Sequence, residues 1–302
     1  GHKWGFISYA GKFVVKARYD EAGTFSEGKA GINLDGKWGY INRYGRIVVK
    51  NVYEKAYGFS NGLAGVRFSQ KWGFINHCGK LVVPFLYDFV RPFSEGVAIV
   101  TKGDENIIID QSGRVVDTLK FSDHSNMNNG FICVGKRFKV PGRLAKERRF
   151  GLYSRDGRIV DNRWYDWVGD FSEGLAYVRI MANRSYQDCC WGFIDDSGRM
   201  VIRKSGKLTW LLQRNSESEL KFREGLAPIC VNRSWGYINR AGKLVIKPQF
   251  SIAKPFNEGV ALVAKSDTIL YGFIDCSGNY VIEPIYGAAQ SFSEGLAVVL
   301  CE

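Results

Sequence analysis

Lys71-Trp72-Gly73-Phe74-Ile75-Asn76-His77-Cys78-Gly79-Lys80-Leu81-Val82-Val83 is a pair of short apolar runs on either side of a polar loop. A loop that opens on Asn76 and closes on Gly79 suits a type I turn followed by a left-handed residue. The Asx side chain caps such a turn, and glycine tolerates the positive φ that ends it. The stretch therefore reads as a β-hairpin. The small residue after Trp72 marks a close approach of the neighbouring backbone or a bulge. Tyr87, eight residues beyond Gly79 and followed by Asp88, reads as a third short strand or a packed turn. A further β-rich run, Glu95-Gly96-Val97-Ala98-Ile99-Val100, leads into the next unit.

This pattern recurs in eight units that begin near residues 4, 38, 72, 106, 150, 191, 235 and 271. The turn glycine always lies six residues beyond the WG glycine position, and an F-S-E-G element ends each unit, giving an undecorated period of 34 residues. A fixed period of that length is the mark of a repeat architecture, in which no unit buries enough apolar surface alone and neighbours must share a core. Helical periodicity is absent, so the class is all-β, with three to four short strands per unit and a single domain over residues 1–302. The repeated Trp, Phe and Tyr read as the packing layer between units, because each buried aromatic removes about 150–250 Å² from water.

The composition agrees. Of 302 residues, 45% are apolar and 24% charged, which excludes a disordered chain. No apolar run approaches the length of a membrane-spanning helix. Gly1-His2 reads as a remnant of cloning, so a native targeting segment would lie outside this sequence. The seven cysteines are odd in number and lack a C-x-x-C pair. They point to free thiols in a cytoplasmic or other reducing compartment, with no metal site and no cofactor.

Two architectures fit such units, a closed β-propeller and an open β-solenoid. The chain begins with a WG strand that lacks its preceding partner and ends with Gly295-Leu296-Ala297-Val298-Val299-Leu300, a strand that lacks its following one. Pairing the two would remove both exposed edges, which favours the closed propeller.

The K-W-G-F-I-N, G-K-L-V-V, Y-D and F-S-E-G-L-A elements together resemble the bacterial WG repeat, or KWG repeat, family over essentially the whole chain. The resemblance implies a repetitive β architecture with no assigned catalytic residues and a role in interactions. Three units depart from it: Asn106-Ile107 replaces WG in the fourth, and Phe150 and Tyr271 replace Trp in the fifth and eighth.

In a repeat protein the shared positions serve packing, so function is sought where regularity fails. Three consecutive insertions follow Gly130, follow Gly174 and interrupt the sixth unit. The first carries Lys136, Arg137, Lys139, Arg143, Lys146, Arg148 and Arg149 against one acid, Glu147, or half of the net charge of +12. Trp164, Trp167 and Trp210, the tryptophans outside WG motifs, fall in units five and six. If the strands form a meander, these insertions share one face. The expected function is a non-enzymatic scaffold whose basic, aromatic face binds a protein partner with an acidic surface, using charge for steering and rings as anchors. The alternative is a polyanion or single-stranded nucleic-acid module on the same face.

Catalysis is disfavoured. Apart from His2, the histidines are His77, in a hairpin turn beside Cys78, and His124, and both read as surface residues. The recurrent Glu27, Glu95, Glu173, Glu224, Glu258 and Glu294 follow the repeat, so they read as turn stabilisers and not as acid catalysts. No P-loop, G-x-S-x-G or H-E-x-x-H is present.

Overall fold

The Trp72 hairpin forms as its residues dictate. The Asn76 side-chain oxygen accepts the backbone N–H groups of Cys78 and Lys80, the Gly79 N–H donates to the Asn76 carbonyl, and Gly79 has φ 77°. Beyond the turn the strand does not stop at Val83. It runs unbroken from Leu81 to Tyr87, so Tyr87 belongs to no third strand or separate turn; it ends the second strand, opposite Trp72. The reason is Gly73. A Cβ built there would lie 2.5 Å from the Val83 carbonyl oxygen, so only glycine lets the two backbones close over the irregular stretch. Gly39 repeats this arrangement against the Val49 carbonyl at 2.6 Å. There Trp38 pairs with Tyr53 and Tyr40 with Val49, so one strand advances by four residues while the other advances by two.

This computed structural model describes residues 2–119, 123–128, 130–138, 147–154, 163–181, 189–205, 220–265 and 270–301. Every regular element among them is a strand, the strands pair antiparallel, and no helix is long and apolar enough to cross a membrane. The chain divides into two compact units, Gly1–Leu119 with Asn257–Glu302, and Lys120–Phe256.

In the first unit the representative sheet orders a short strand Lys55–Ala56, a second strand Leu63–Phe68, the WG strand Lys71–Asn76 and an edge strand Leu81–Tyr87. The same four-strand order occurs in the sheet that starts at Glu21 and in the one that starts at Phe89. One further sheet is built from both chain ends: Ala297–Cys301 pairs with Lys3–Ile7 in continuous register, from Ala297 opposite Ile7 to Cys301 opposite Lys3. Each end supplies the partner the other lacks. That pairing selects the β-propeller over the open solenoid, and the sheets are its blades. In the second unit, Trp167–Val168, Ala176–Met181, Cys189–Ile194 and Met200–Ser205 form a complete blade, and Asp123–Asn128, Phe131–Phe138 and Glu147–Ser154 form a three-stranded one.

The core lies between blades. One cluster joins Phe6, Val15 and Val298 of the blade made from the chain ends to Phe25, Ala30 and Ile32 of the next, and another joins Phe74 and Val83 to Phe93, Ala98 and Ile109. The deepest residues are not the tryptophans. Trp4, Trp38 and Trp191 are half-buried, whereas the ring two positions on, Phe6, Tyr40 or Phe193, is sealed from solvent. The aromatic packing layer expected from the repeat exists, centred on the third residue of W-G-F.

Gly73→Ala should lower the unfolding free energy by about 2–3 kcal/mol through overpacking against the Val83 carbonyl; equilibrium urea unfolding checks this, with Gly36→Ala, whose added Cβ meets nothing within 4 Å but sits at φ 76°, costing about 1 kcal/mol.

Candidate functional site

The recurrent glutamates settle into a structural pattern. Glu27, Glu173, Glu258 and Glu294 occupy the first central position of two-residue turns with φ between 53° and 57°, each followed by a glycine of positive φ, as a type I′ turn requires. Each carboxylate then reaches the equivalent turn of the next blade. Glu27 accepts the Gly62 N–H at 3.0 Å, Glu258 the Gly295 N–H at 2.8 Å, Glu294 the Gly28 N–H at 3.0 Å and Glu173 the Gly225 N–H at 3.1 Å. Where Asn61 replaces Glu, its amide oxygen accepts the Gly96 N–H at 2.8 Å. The preceding serines run in parallel: Ser26 donates to the Phe59 carbonyl and Ser60 to the Phe93 carbonyl. These residues pin blade to blade, as the turn-stabilising reading of the recurrent glutamates expects.

His77 belongs to the same system. Its Nε2 lies 3.1 Å from Glu27, its Nδ1 3.1 Å from the Lys29 ammonium, and its ring stacks on Phe59 at 4.5 Å. Arg43 stands in the corresponding relation to Glu294, Arg240 to Glu173 and Tyr9 to Glu258. A nucleophilic role for Cys78 beside it finds no support in that geometry, since both imidazole nitrogens face other groups. In Cys133, burial and the Asp170 charge push the thiol up to about 12 despite Arg148, which disfavours the nucleophilic thiolate. Among the described residues no group of three His, Cys, Asp or Glu could hold a metal ion, and Cys78, Cys133, Cys190, Cys230 and Cys276 are free thiols.

Within the second unit the basic insertion is an extension of the hairpin that joins a second strand to a WG strand. Phe131–Phe138 pairs with Glu147–Ser154 over its whole length. The register sets Lys136 opposite Arg149 and Arg137 opposite Arg148, two adjacent like-charge pairs that cost stability in a bare ribbon. Aromatic rings lie along both faces. On one, Phe138 meets Trp164 edge-on at 5.0 Å, with the Lys136 ammonium 5.6 Å from one ring and 5.8 Å from the other. On the other, Arg148 lies 4.9 Å over Phe150, which meets Trp167 at 5.5 Å. Arg149 is tied to Asp166 at 3.1 Å.

Of the residues singled out in the sequence, Lys136, Arg137, Arg148, Arg149, Trp164 and Trp167 thus come together on one hairpin and its flank. Lys139, Arg143, Lys146 and Trp210 lie outside the described residues. Sequence reasoning passed over Phe138 and Asp166, and read Phe150 only as the replacement for Trp in its unit. The signal for Phe138 was its two-residue spacing from Lys136, which sets both on one strand face. The signal for Asp166 was its place in the recurrent Y-D element, where Asp20 pairs with Lys3 and Asp88 with Lys71.

The family model for the WG-containing repeat matches residues 4–38, 38–72, 72–105, 150–180, 235–268 and 271–302. The chain belongs to this family. The unmatched units, those at 106 and 191, are the one with Asn106-Ile107 in place of WG and the one with the long interruption, yet both keep their paired WG-position strands. No curated protein matches the sequence. Among solved structures the chain is similar to a eukaryotic initiation factor, with 10% identity, TM-score 0.51, and 99% of this chain and 98% of that one covered. It is also similar to KlHsv2 with loop 6CD replaced by a Gly-Ser linker, at 6% identity and TM-score 0.49 over 84% and 91% of the chains. A puromycin hydrolase matches at 11% identity and TM-score 0.47 over 95% of this chain and 50% of that one. At such identities the first of these likenesses concerns the fold alone.

Burial raises the Glu258 pKa, but the Tyr9 hydroxyl, the N–H groups of Gly295 and Glu294 and the Arg43 charge outweigh it, holding the carboxyl below its usual 4.5. A lowered folded-state value stabilises above the unfolded pKa and fails as protons bind. Wild type should therefore lose thermal stability as pH falls below about 4.5, and Glu258→Gln, less stable near neutrality, should lose less over the same descent when melting is followed by circular dichroism.

Proposed function

We propose that the chain is a non-enzymatic repeat scaffold, acting as one domain over residues 1–302, that binds a protein partner with an acidic surface through the extended hairpin and its flanking tryptophans. The observation that carries this reading is the pairing of like charges: Lys136 faces Arg149 and Arg137 faces Arg148 with aromatic rings on both faces of the ribbon. An anionic partner docking on this ribbon would gain charge complementarity along its length. Half-buried Trp164 and Trp167 supply rigid anchors beside those charges. Lys139, Arg143, Lys146 and Trp210 belong to the same surface in this reading. The free thiols support a reducing compartment such as the cytoplasm.

Single-stranded nucleic acid is the second reading, and the rings argue against it. They meet one another edge-on and lie under the protein's own cations, whereas base stacking needs open ring faces.

Lys136→Glu/Arg137→Glu/Arg148→Glu should weaken binding of a captured acidic partner by about a hundredfold or more while leaving the melting temperature unchanged or slightly raised. Affinity capture with and without nuclease, read by mass spectrometry, checks it: a partner retained equally by the variant overturns the site, and material that disappears on nuclease treatment replaces the protein partner by nucleic acid.

A further inference from the structure

In the first unit, four consecutive turns between a WG strand and its edge strand are followed by the same exposed triplet, a cation and two apolar residues, whereas the turn between Tyr271–Asp275 and Tyr280–Tyr286 is followed by Asn279-Tyr280-Val281 and lacks the cation. The copies are Lys12-Phe13-Val14, Arg46-Ile47-Val48, Lys80-Leu81-Val82 and Arg114-Val115-Val116, on four consecutive blades. All four cations are exposed, and so are the apolar pairs, with Val14 at 49%, Ile47 at 54% and Val115 at 64%. Lys12, Arg46 and Lys80 enter no ion pair among the described residues. On this rim Glu27, Glu258 and Glu294 are held by turn N–H groups of the neighbouring blades, Asp110 accepts the N–H groups of Ser112 and Arg114 within its own turn, and Asp117 follows the fourth triplet. Successive turns are close neighbours: a Cβ at Gly79 would lie 3.3 Å from Val49 and one at Gly113 3.3 Å from Val83, each on the preceding blade's edge strand. The triplets therefore form a continuous row along one rim of this unit.

Packing inside the blades does not call for the apolar pairs: in three of the four edge strands the buried member is the next residue, Val15, Val49 or Val83, and in the fourth the next residue, Asp117, is itself exposed. We infer that this row is a docking surface for an anionic lipid bilayer, with the cations on headgroup charges and the apolar pairs entering the headgroup boundary. Two properties favour a bilayer over an acidic protein. The contacts are shallow copies of one another, and such repetition matches a partner whose own surface is uniform, whereas a specific protein interface concentrates its energy in a few dissimilar anchors. Cation and aliphatic side chain also stand side by side at every step, the combination that headgroup charge and acyl boundary reward together. This inference is independent of the basic hairpin, which belongs to the other unit.

Flotation with phosphatidylcholine vesicles, with and without phosphatidylserine, tests it on the full chain. Wild type should float with the anionic vesicles only, and less as salt rises. Lys12→Glu/Arg46→Glu/Lys80→Glu should reduce the partition by about a hundredfold. Val14→Ser/Val48→Ser/Val82→Ser should also reduce it, about tenfold or more, without change in melting temperature. The variant with Lys136, Arg137 and Arg148 changed to Glu should float as wild type does. No flotation of wild type, flotation lost only with the hairpin variant, or flotation indifferent to the valine changes overturns the inference. Complete competition by soluble polyglutamate overturns it in favour of an acidic protein.

Discussion

Pairs of steeply inclined aromatic rings fasten neighbouring blades at six places among the described residues. Phe6 meets Phe25, Tyr40 meets Phe59, Phe74 meets Phe93, Phe193 meets Phe222, Tyr237 meets Phe256 and Phe273 meets Phe292, all with centroids 4.7–4.9 Å apart and ring planes at 59–66°. One ring comes from the third residue of W-G-F and the other from the F of F-S-E-G. Such pairs contribute about 0.5–1.5 kcal/mol beyond the area they bury. Their larger effect is geometric, because the pair fixes how near one sheet lies to the next. The glutamate and serine bonds between neighbouring turns accompany these contacts, at 2.6–3.1 Å. Tyr40 and Tyr237 keep the pair despite a hydroxyl, since each donates to a backbone carbonyl, Tyr57 and Lys254 respectively, and burial pushes both phenols well above their usual pKa.

This constraint explains where the repeat can change. In the fifth unit Leu152 stands where the ring should be, and Phe171 instead meets Phe131 at 4.8 Å, so an aromatic contact is restored from a different strand. The fourth unit places Ile108 at that position and remains buried. Sequence departures that defeat a family pattern are thus absorbed when some apolar side chain still fills the gap between sheets. The turns and edge strands face no such demand. Insertions, like charges and exposed aliphatics accumulate there, and both the basic hairpin and the rim of repeated triplets belong to those parts of the blades.

The repeat period, the hairpins, the need of a glycine after each tryptophan and the complementary chain ends were all legible in the sequence, because each depends on local geometry or on counting. Much of the candidate surface was legible as well: an unbroken excess of Lys and Arg with extra tryptophans is a compositional fact. The register across the hairpin was not. Whether Lys136 faces Arg149 or a residue one place along is fixed by how the two strands enter from the blade, and a single-residue slip would exchange every side chain between faces. The contact of Arg148 with Phe150 depends on that register as well, whereas Phe138 and Asp166 carried signals of their own in the strand spacing and the Y-D element.

The order of residues is thus enough to specify an all-β repeat chain whose glycines, aromatics and turn residues follow a fixed period, since local conformational preference and burial are written residue by residue. Tertiary packing was needed to decide that the ends pair, that the repeated glutamates act between blades and that His77 bridges Glu27 and Lys29. Those outcomes join residues far apart in the chain, and the separation and angle of neighbouring sheets determine which of them meet.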